Sequence, residues 1–206
     1  DLLREEGNGE KITHVVVMGT GEPFDNYDNV ISFIRIINHP HSLAIGARHI
    51  TVSTCGIVDK IREYAHEGLQ INLAISLHAP NDEIRNKIMP ISLKYNLEDL
   101  MDAIKYYEKE ADRRVTFEYI LLKDINDSVE DAKELARLIR GTKAYVNLIP
   151  YNPIKELKYK RSSNENVHAF MNMLLSCGIN VTIRKEFGTD IDAACGQLRA
   201  KNEKKI

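Results

Sequence analysis

Ile71-Asn72-Leu73-Ala74-Ile75-Ser76-Leu77 is a short, nearly continuous apolar run, and it empties into His78-Ala79-Pro80. Runs of this kind suit strands covered on both faces, as in a parallel sheet. Five others flank it, at residues 14–18, 49–53, 115–122, 145–150 and 180–184. Amphipathic segments separate them. Leu97, Leu100, Met101, Ile104 and Tyr107 share one face of a helix expected over residues 97–111. Val129, Ala132, Leu135, Ala136 and Ile139 repeat the pattern, with Asp127 or Ser128 as N-cap. Val167, Phe170, Met171, Leu174 and Leu175 form a third face, with Ser162 and Glu165 as its capping box and Gly178 ending it. Cys177, at the end of that helix, reads as core. Shorter helices are expected after Tyr27, Gly56 and Asn81. Strands alternating with helices mean βα units and an α/β fold built on a parallel sheet. Periodicity does not separate a closed barrel from an open doubly wound sheet, but in both the chemistry gathers at the carboxyl ends of the strands.

The chain has 206 residues, a length that favours one domain. That domain is expected over residues 11–200, between flexible polar ends at 1–10 and 201–206. Lys plus Arg is 28 and Asp plus Glu is 30, a net charge of −2, so nucleic-acid binding rests on a local patch rather than on a global pull. No apolar run approaches the roughly 18 residues of a membrane span, and no signal peptide precedes the charged opening Asp1-Leu2-Leu3-Arg4-Glu5-Glu6. Three cysteines, Cys55, Cys177 and Cys195, are an odd number without CxxC spacing. They argue against a disulfide scaffold and a zinc ribbon, and for a reducing cytoplasm. The chain opens on Asp rather than Met, as a fragment would.

The residues just past the end of each strand are therefore the candidates for a site. After the first strand comes Gly19-Thr20-Gly21-Glu22-Pro23, in which two glycines permit a tight turn and Pro23 biases Glu22 toward an extended backbone. Glu22 is then a carboxylate on a rigid turn, suited to an ammonium group. The second strand ends in Ser53-Thr54-Cys55-Gly56 and the third in Ser76-Leu77-His78, offering hydroxyls and an imidazole to a polar ligand or simply capping the next helix. The fifth runs into Tyr151-Asn152-Pro153, which restrains the Asn152 amide, and a basic loop comes next with Lys155, Lys158, Tyr159, Lys160 and Arg161. After the sixth, Cys195 stands between Ala194 and Gly196, with Asp190 and Asp192 nearby. His39, His41, His49, His66 and His168 show no metal-ligand pairing and read as solvated, whereas His14 reads as structural.

The segments MGTGEPFDNYDNV, ITVSTCGIV, INLAISLHAPND, VNLIPYNP and DIDAACGQLR, in that order and spacing, resemble the RlmN family of dual-specificity RNA methyltransferases. The resemblance covers essentially residues 11–200. It implies a partial (β/α)6 barrel of the radical S-adenosylmethionine (SAM) type, here without its first strand and N-terminal accessory domain. It places SAM contacts at Gly21, Glu22, Ser53, Ser76, Leu77, His78 and Asn152, and the methyl-carrying cysteine at Cys195. The implied partners are 23S ribosomal RNA and transfer RNA, with a monomeric enzyme methylating C2 of adenosine. In that chemistry one SAM methylates the cysteine. A second is cleaved at a [4Fe-4S] cluster, and its radical activates the S-methyl group for addition to adenine.

The family's CxxxCxxC cluster motif is absent, and three scattered cysteines do not make a Cys-ligated cluster site. The implied cluster thus belongs to the full-length enzyme, and the chain alone is expected to be inactive. Two other functions fit the same residues: a Cfr-like methyltransferase acting at C8 of adenosine, and a non-catalytic SAM- or RNA-binding module. An ordinary TIM-barrel aldolase or isomerase needs a buried lysine or paired carboxylates, and Lys123 is its nearest candidate.

Overall fold

The structure, a computed structural model, describes residues 11–19, 21–153 and 157–184. Among them six strands form one sheet: β1 (Val15–Val17), β2 (Ile50–Thr54), β3 (Asn72–Ser76), β4 (Val115–Leu121), β5 (Tyr145–Pro150) and β6 (Asn180–Ile183). Every pairing is parallel, and the strand order in space is the order in sequence, β1 to β6. The helices that return the chain between strands are α1 (Tyr27–Asn38), α2 (Val58–Tyr64), α3 (Asp82–Ile88), α4 (Leu97–Glu110), α5 (Val129–Leu138) and α6 (Asn164–Ser176). No pairing joins β1 to β6 among the described residues, so the sheet is a barrel left open at its edges. Among the described residues no helix is long and apolar enough to cross a membrane.

The helices form where side chains cap them. Ser128 starts α5 with a reciprocal capping box to Asp131, Asn96 starts α4 by accepting from the Asp99 amide, and Asn81 starts α3 by accepting from Ile84. The cap of α6 is Ser163 rather than Ser162. Ser162 is instead buried and donates to the Asp127 carboxylate, which also receives the Asn166 amide group at 3.2 Å. A hydroxyl that can tie two elements together is worth more inside than one capping a helix at the surface. Cys177 also departs from expectation. It is exposed, because α6 ends at Ser176 and the chain reverses through Gly178 before reaching β6. It lines a 380 Å³ cavity with Arg137, Arg140 and Thr142, at the amino-terminal end of the sheet.

Apolar runs imply strands covered on both faces, yet among the described residues the second face is covered only in part: Ala74 and Glu118 are buried there, while Ser53, Ser76, Thr116 and Asn147 are half-buried. Val52, Leu73, Ile75, Phe117, Tyr119, Val146, Leu148 and Val181 face the helices and make the core with Ile34, Ile61, Leu100, Tyr107, Leu135 and Phe170. Tyr119 packs on Phe170 with ring centres 5.1 Å apart, fastening β4 to α6. Many of the alternate residues are small or polar and line the other face in register, beside the apolar Val16, Ile120 and Ile149. One row runs Ser53, Ala74, Thr116, Tyr145, and the next runs Ser76, Glu118, Asn147, Thr182. Alternation of this kind marks a sheet with one face on the core and the other turned to the barrel interior.

Gly56 is demanded by its surroundings. Its φ is +102°, and a β-carbon there would stand 3.1 Å from Leu100 Cδ1 and 3.2 Å from Arg85 Nη2. Gly56→Ala is expected to cost about 1–3 kcal/mol by strain and crowding together. A chemical denaturation midpoint unchanged from the native protein would overturn that reading.

Candidate functional site

The turns after β1, β2 and β3 are wired to one another. Glu22 has the extended backbone that Pro23 favours, with φ −110° and ψ 114°. Its carboxylate caps the 3-10 turn at Pro23–Asn26 through the Phe24 amide at 2.9 Å, and its other oxygen accepts from the Cys55 amide at 2.7 Å. Two main-chain donors thus aim the carboxylate while leaving lone pairs for a cation. The Cys55 carbonyl in turn accepts from Arg85 Nη2 at 2.8 Å, and the same guanidinium donates to the carbonyls of Leu77 (3.2 Å) and Tyr95 (3.3 Å). Arg85 is fully buried and, among the described residues, meets no carboxylate; three carbonyl dipoles solvate its charge. Burial also pushes the Cys55 thiol up to about 12, with Glu22 adding to the rise, so Cys55 is a thiol rather than a nucleophilic thiolate.

The residues singled out in the sequence collect at this rim. Gly21 and Glu22 follow β1, Ser53 lies near the end of β2 on the face away from the helices, Ser76 ends β3, and Leu77 and His78 come just past it. Ser53, Ser76 and His78 are half-buried, while Leu77 is completely buried and contributes its main chain. Asn152, also half-buried, follows β5. Cys195 lies outside the described residues, as does Lys155. Of the basic loop, Lys158 and Lys160 are exposed, and Tyr159 packs edge-on against Tyr151 at 6.2 Å. Lys123 is exposed, which removes the buried amine an aldolase needs. His14 is exposed too, stacked 4.3 Å from His49.

Sequence reading missed three polar residues that shape the site. Arg85 is one, and Asn126, buried in the loop after β4, is another. The third is Glu118, 7% exposed in the middle of β4 and level with Ser76. Asn147 donates to its carboxylate at 2.8 Å, and Thr182 donates to Asn147 at 3.4 Å. Burial raises the Glu118 pKa above the usual carboxylate range, against the opposing pull of Asn147 and Arg184. A glutamate inside an apolar strand was the available signal, since such a position is unfavourable without a partner.

Among the described residues no group of three or more His, Cys, Asp or Glu side chains could hold a metal ion, and Cys55 and Cys177 are the cysteines there. These two do not fit a thiolate-ligated iron–sulfur cluster.

The sequence model of the radical SAM superfamily matches residues 1–139. A dual-specificity RNA methyltransferase RlmN of Acholeplasma laidlawii is 58% identical over 201 residues, covering 98% of this chain and 60% of that protein. The Spiroplasma citri protein of the same name is 59% identical over 194 residues, covering 94% and 56%. This chain thus spans somewhat over half the length of the curated relatives it matches. Among solved structures, a radical SAM methyltransferase from Sphaerobacter thermophilus superposes with a TM-score of 0.90 at 45% identity, over 94% of this chain and 57% of that one. A domain of pyruvate-formate lyase-activating enzyme from Bacteroides vulgatus shares the fold at a TM-score of 0.58 and 18% identity. Open parallel barrel, matched sequence and superposed structure agree, and the chain belongs to the radical SAM superfamily.

Proposed function

We propose that this chain is the SAM- and RNA-handling part of an RlmN-type methyltransferase, which methylates C2 of an adenosine in 23S ribosomal RNA and in transfer RNA. The observation that carries the reading is the joined rim, in which the Glu22 carboxylate, the Cys55 main chain, Arg85 and the Leu77 carbonyl form one connected unit. Relatives at 58% identity that carry the RlmN name support it. Glu22 receives the ammonium of SAM from its fixed turn. Gly21, Ser53, Ser76, Leu77, His78 and Asn152 surround the rest of the molecule. Cys195 accepts the methyl group: its thiolate forms a new S–C bond as the sulfonium C–S bond breaks, and S-adenosylhomocysteine leaves with the electron pair. The cluster that completes the family's chemistry is bound by residues of the longer protein, which acts as a cytoplasmic monomer.

Lys158 and Lys160 are exposed cations that follow Asn152 by six and eight residues, and in this reading they contact RNA phosphates. Replacing both by Ala in the full-length protein is expected to weaken RNA binding and to lower the slope of log K against log salt by roughly 1–2. An unchanged slope in filter-binding titrations would remove that loop from the interface. The function itself is tested by mass spectrometry of nucleosides from RNA incubated with the full-length protein and SAM. Appearance of 2-methyladenosine is the expected result. Formation of 8-methyladenosine would transfer the protein to the C8 class, and no methylated adenosine at all would overturn the reading.

A further inference from the structure

β3 and β4 run side by side only as far as Ser76 and Glu118. There the Glu118 carbonyl accepts from two successive amides, Leu77 at 3.0 Å and His78 at 3.3 Å. β3 then turns away at His78, whose φ of +59° is strained for a residue that carries a β-carbon. β4 continues to Leu121 and turns the Ile120 amide, the Ile120 carbonyl and the Leu122 amide toward the space that β3 has left. Buried main-chain groups need partners. Side chains supply them. The Ile120 amide donates to His78 Nδ1 at 3.1 Å. Asn126 Nδ2 donates to the carbonyls of His78 (2.7 Å) and Ile120 (2.8 Å), and its Oδ1 accepts from the Leu122 amide at 2.7 Å. Asn126 is wholly buried, and Tyr119 Oη holds its carbonyl at 2.9 Å.

This network fixes the chemistry of the imidazole. A ring nitrogen that accepts from an amide carries no proton, so the proton of neutral His78 resides on Nε2. Burial and the neighbouring Arg85 guanidinium hold the His78 pKa down to about 4, against the opposing effect of the Glu118 main chain. Nε2 has no partner among the described residues.

We propose that His78 serves the ligand site as a fixed, neutral Nε2–H donor to an oxygen or ring-nitrogen acceptor of the bound nucleoside, and that Asn126 is the positioning residue that holds it there. The ligand half of this proposal rests on the SAM-binding reading above. The tautomer half rests on geometry alone. A neutral ring also agrees with the linkage sign: folding disfavours protonation, so its contribution to stability is present above about pH 6.5 and is lost as pH falls toward 4.

The test has two arms. In the 15N-histidine-labelled protein, multiple-bond nitrogen–proton spectra should show His78 as the Nε2–H tautomer, unchanged from pH 8 to pH 5.5. Asn126→Asp turns an acceptor oxygen toward two carbonyls, and His78 should then titrate within that range. In the second arm, His78→Asn keeps an acceptor for the Ile120 amide but lacks the outer donor. By calorimetry on the full-length protein its Kd for SAM should rise at least tenfold, with the thermal midpoint within a few degrees of native. An Nδ1–H tautomer, titration of native His78 near its ordinary value, or native SAM affinity in His78→Asn would overturn the proposal. If native protein binds no SAM while the spectra show the fixed tautomer, the proposed function fails together with the donor role, and the hold of Asn126 on the ring stands.

Discussion

Full-length protein carrying Cys195→Ala should make no 2-methyladenosine, a loss of activity to background. The chemistry proposed for this family needs a sulfur that first takes a methyl group and then carries it to adenine. Neither a methyl side chain nor the hydroxyl of Cys195→Ser substitutes for a thiolate. SAM binding should survive, because the contacts assigned to it lie at the ends of β1, β2, β3 and β5 rather than at residue 195. Cys177→Ala is the matched control. Cys177 is exposed at the end of α6, so its replacement should change stability by no more than about 0.5 kcal/mol and leave turnover intact. Digested RNA analysed by mass spectrometry, beside peptide mapping for S-methylcysteine, reads both variants. Methylated RNA from Cys195→Ala, or a methyl group on Cys177, would sink the assignment.

The largest effect on folding should come from Arg85→Met. The substitution fits a long apolar side chain into the same space but withdraws the donors that meet the carbonyls of Cys55, Leu77 and Tyr95. Losing that many buried hydrogen bonds is expected to cost about 3–5 kcal/mol. For a domain of this size, that corresponds to a fall of roughly 6–20 °C in the thermal midpoint. Arg85→Lys should recover little, because one ammonium cannot span three carbonyls that a planar fork reaches together. The chain has no Trp, so far-UV circular dichroism is the natural probe. A cost below about 1 kcal/mol would mean that water or a shifted backbone satisfies the three carbonyls.

Most of the architecture was legible because it is written in periodicity. The helical face at Leu97, Leu100, Met101, Ile104 and Tyr107 packs as its spacing implies, and the apolar runs became strands within one or two residues of where they were read. The misjudged feature was which faces are covered. Thr51, Ser53, Asn72, Ser76 and Asn147 sit among β-branched and aliphatic neighbours, and in a run of five to seven residues a few small polar side chains do not lower the apolar count enough to reveal alternation. Glu22 and His78 were visible because they follow strands. Arg85 and Asn126 were not, because their partners are main-chain atoms, some of them as far off as Cys55 and His78, and main-chain partners leave no mark in the residue types. Ser162 shows the same limit: capping chemistry and a buried bond to Asp127 look alike until the partner is seen.

Because spatial order repeats chain order from β1 to β6, each strand finds its partner in the unit just completed. A doubly wound sheet must instead wait for a later strand to return to the far side of the first. Here loop closure never exceeds the span of one crossover, which keeps the entropy of each step small. The barrel wall can therefore assemble progressively during synthesis, at about 5–20 residues per second, each new βα unit docking on a template already in place. The polar rim would close before the second half of the wall is made. Glu22 waits for the Cys55 amide, and both wait for Arg85 from the third helix to draw the turns together.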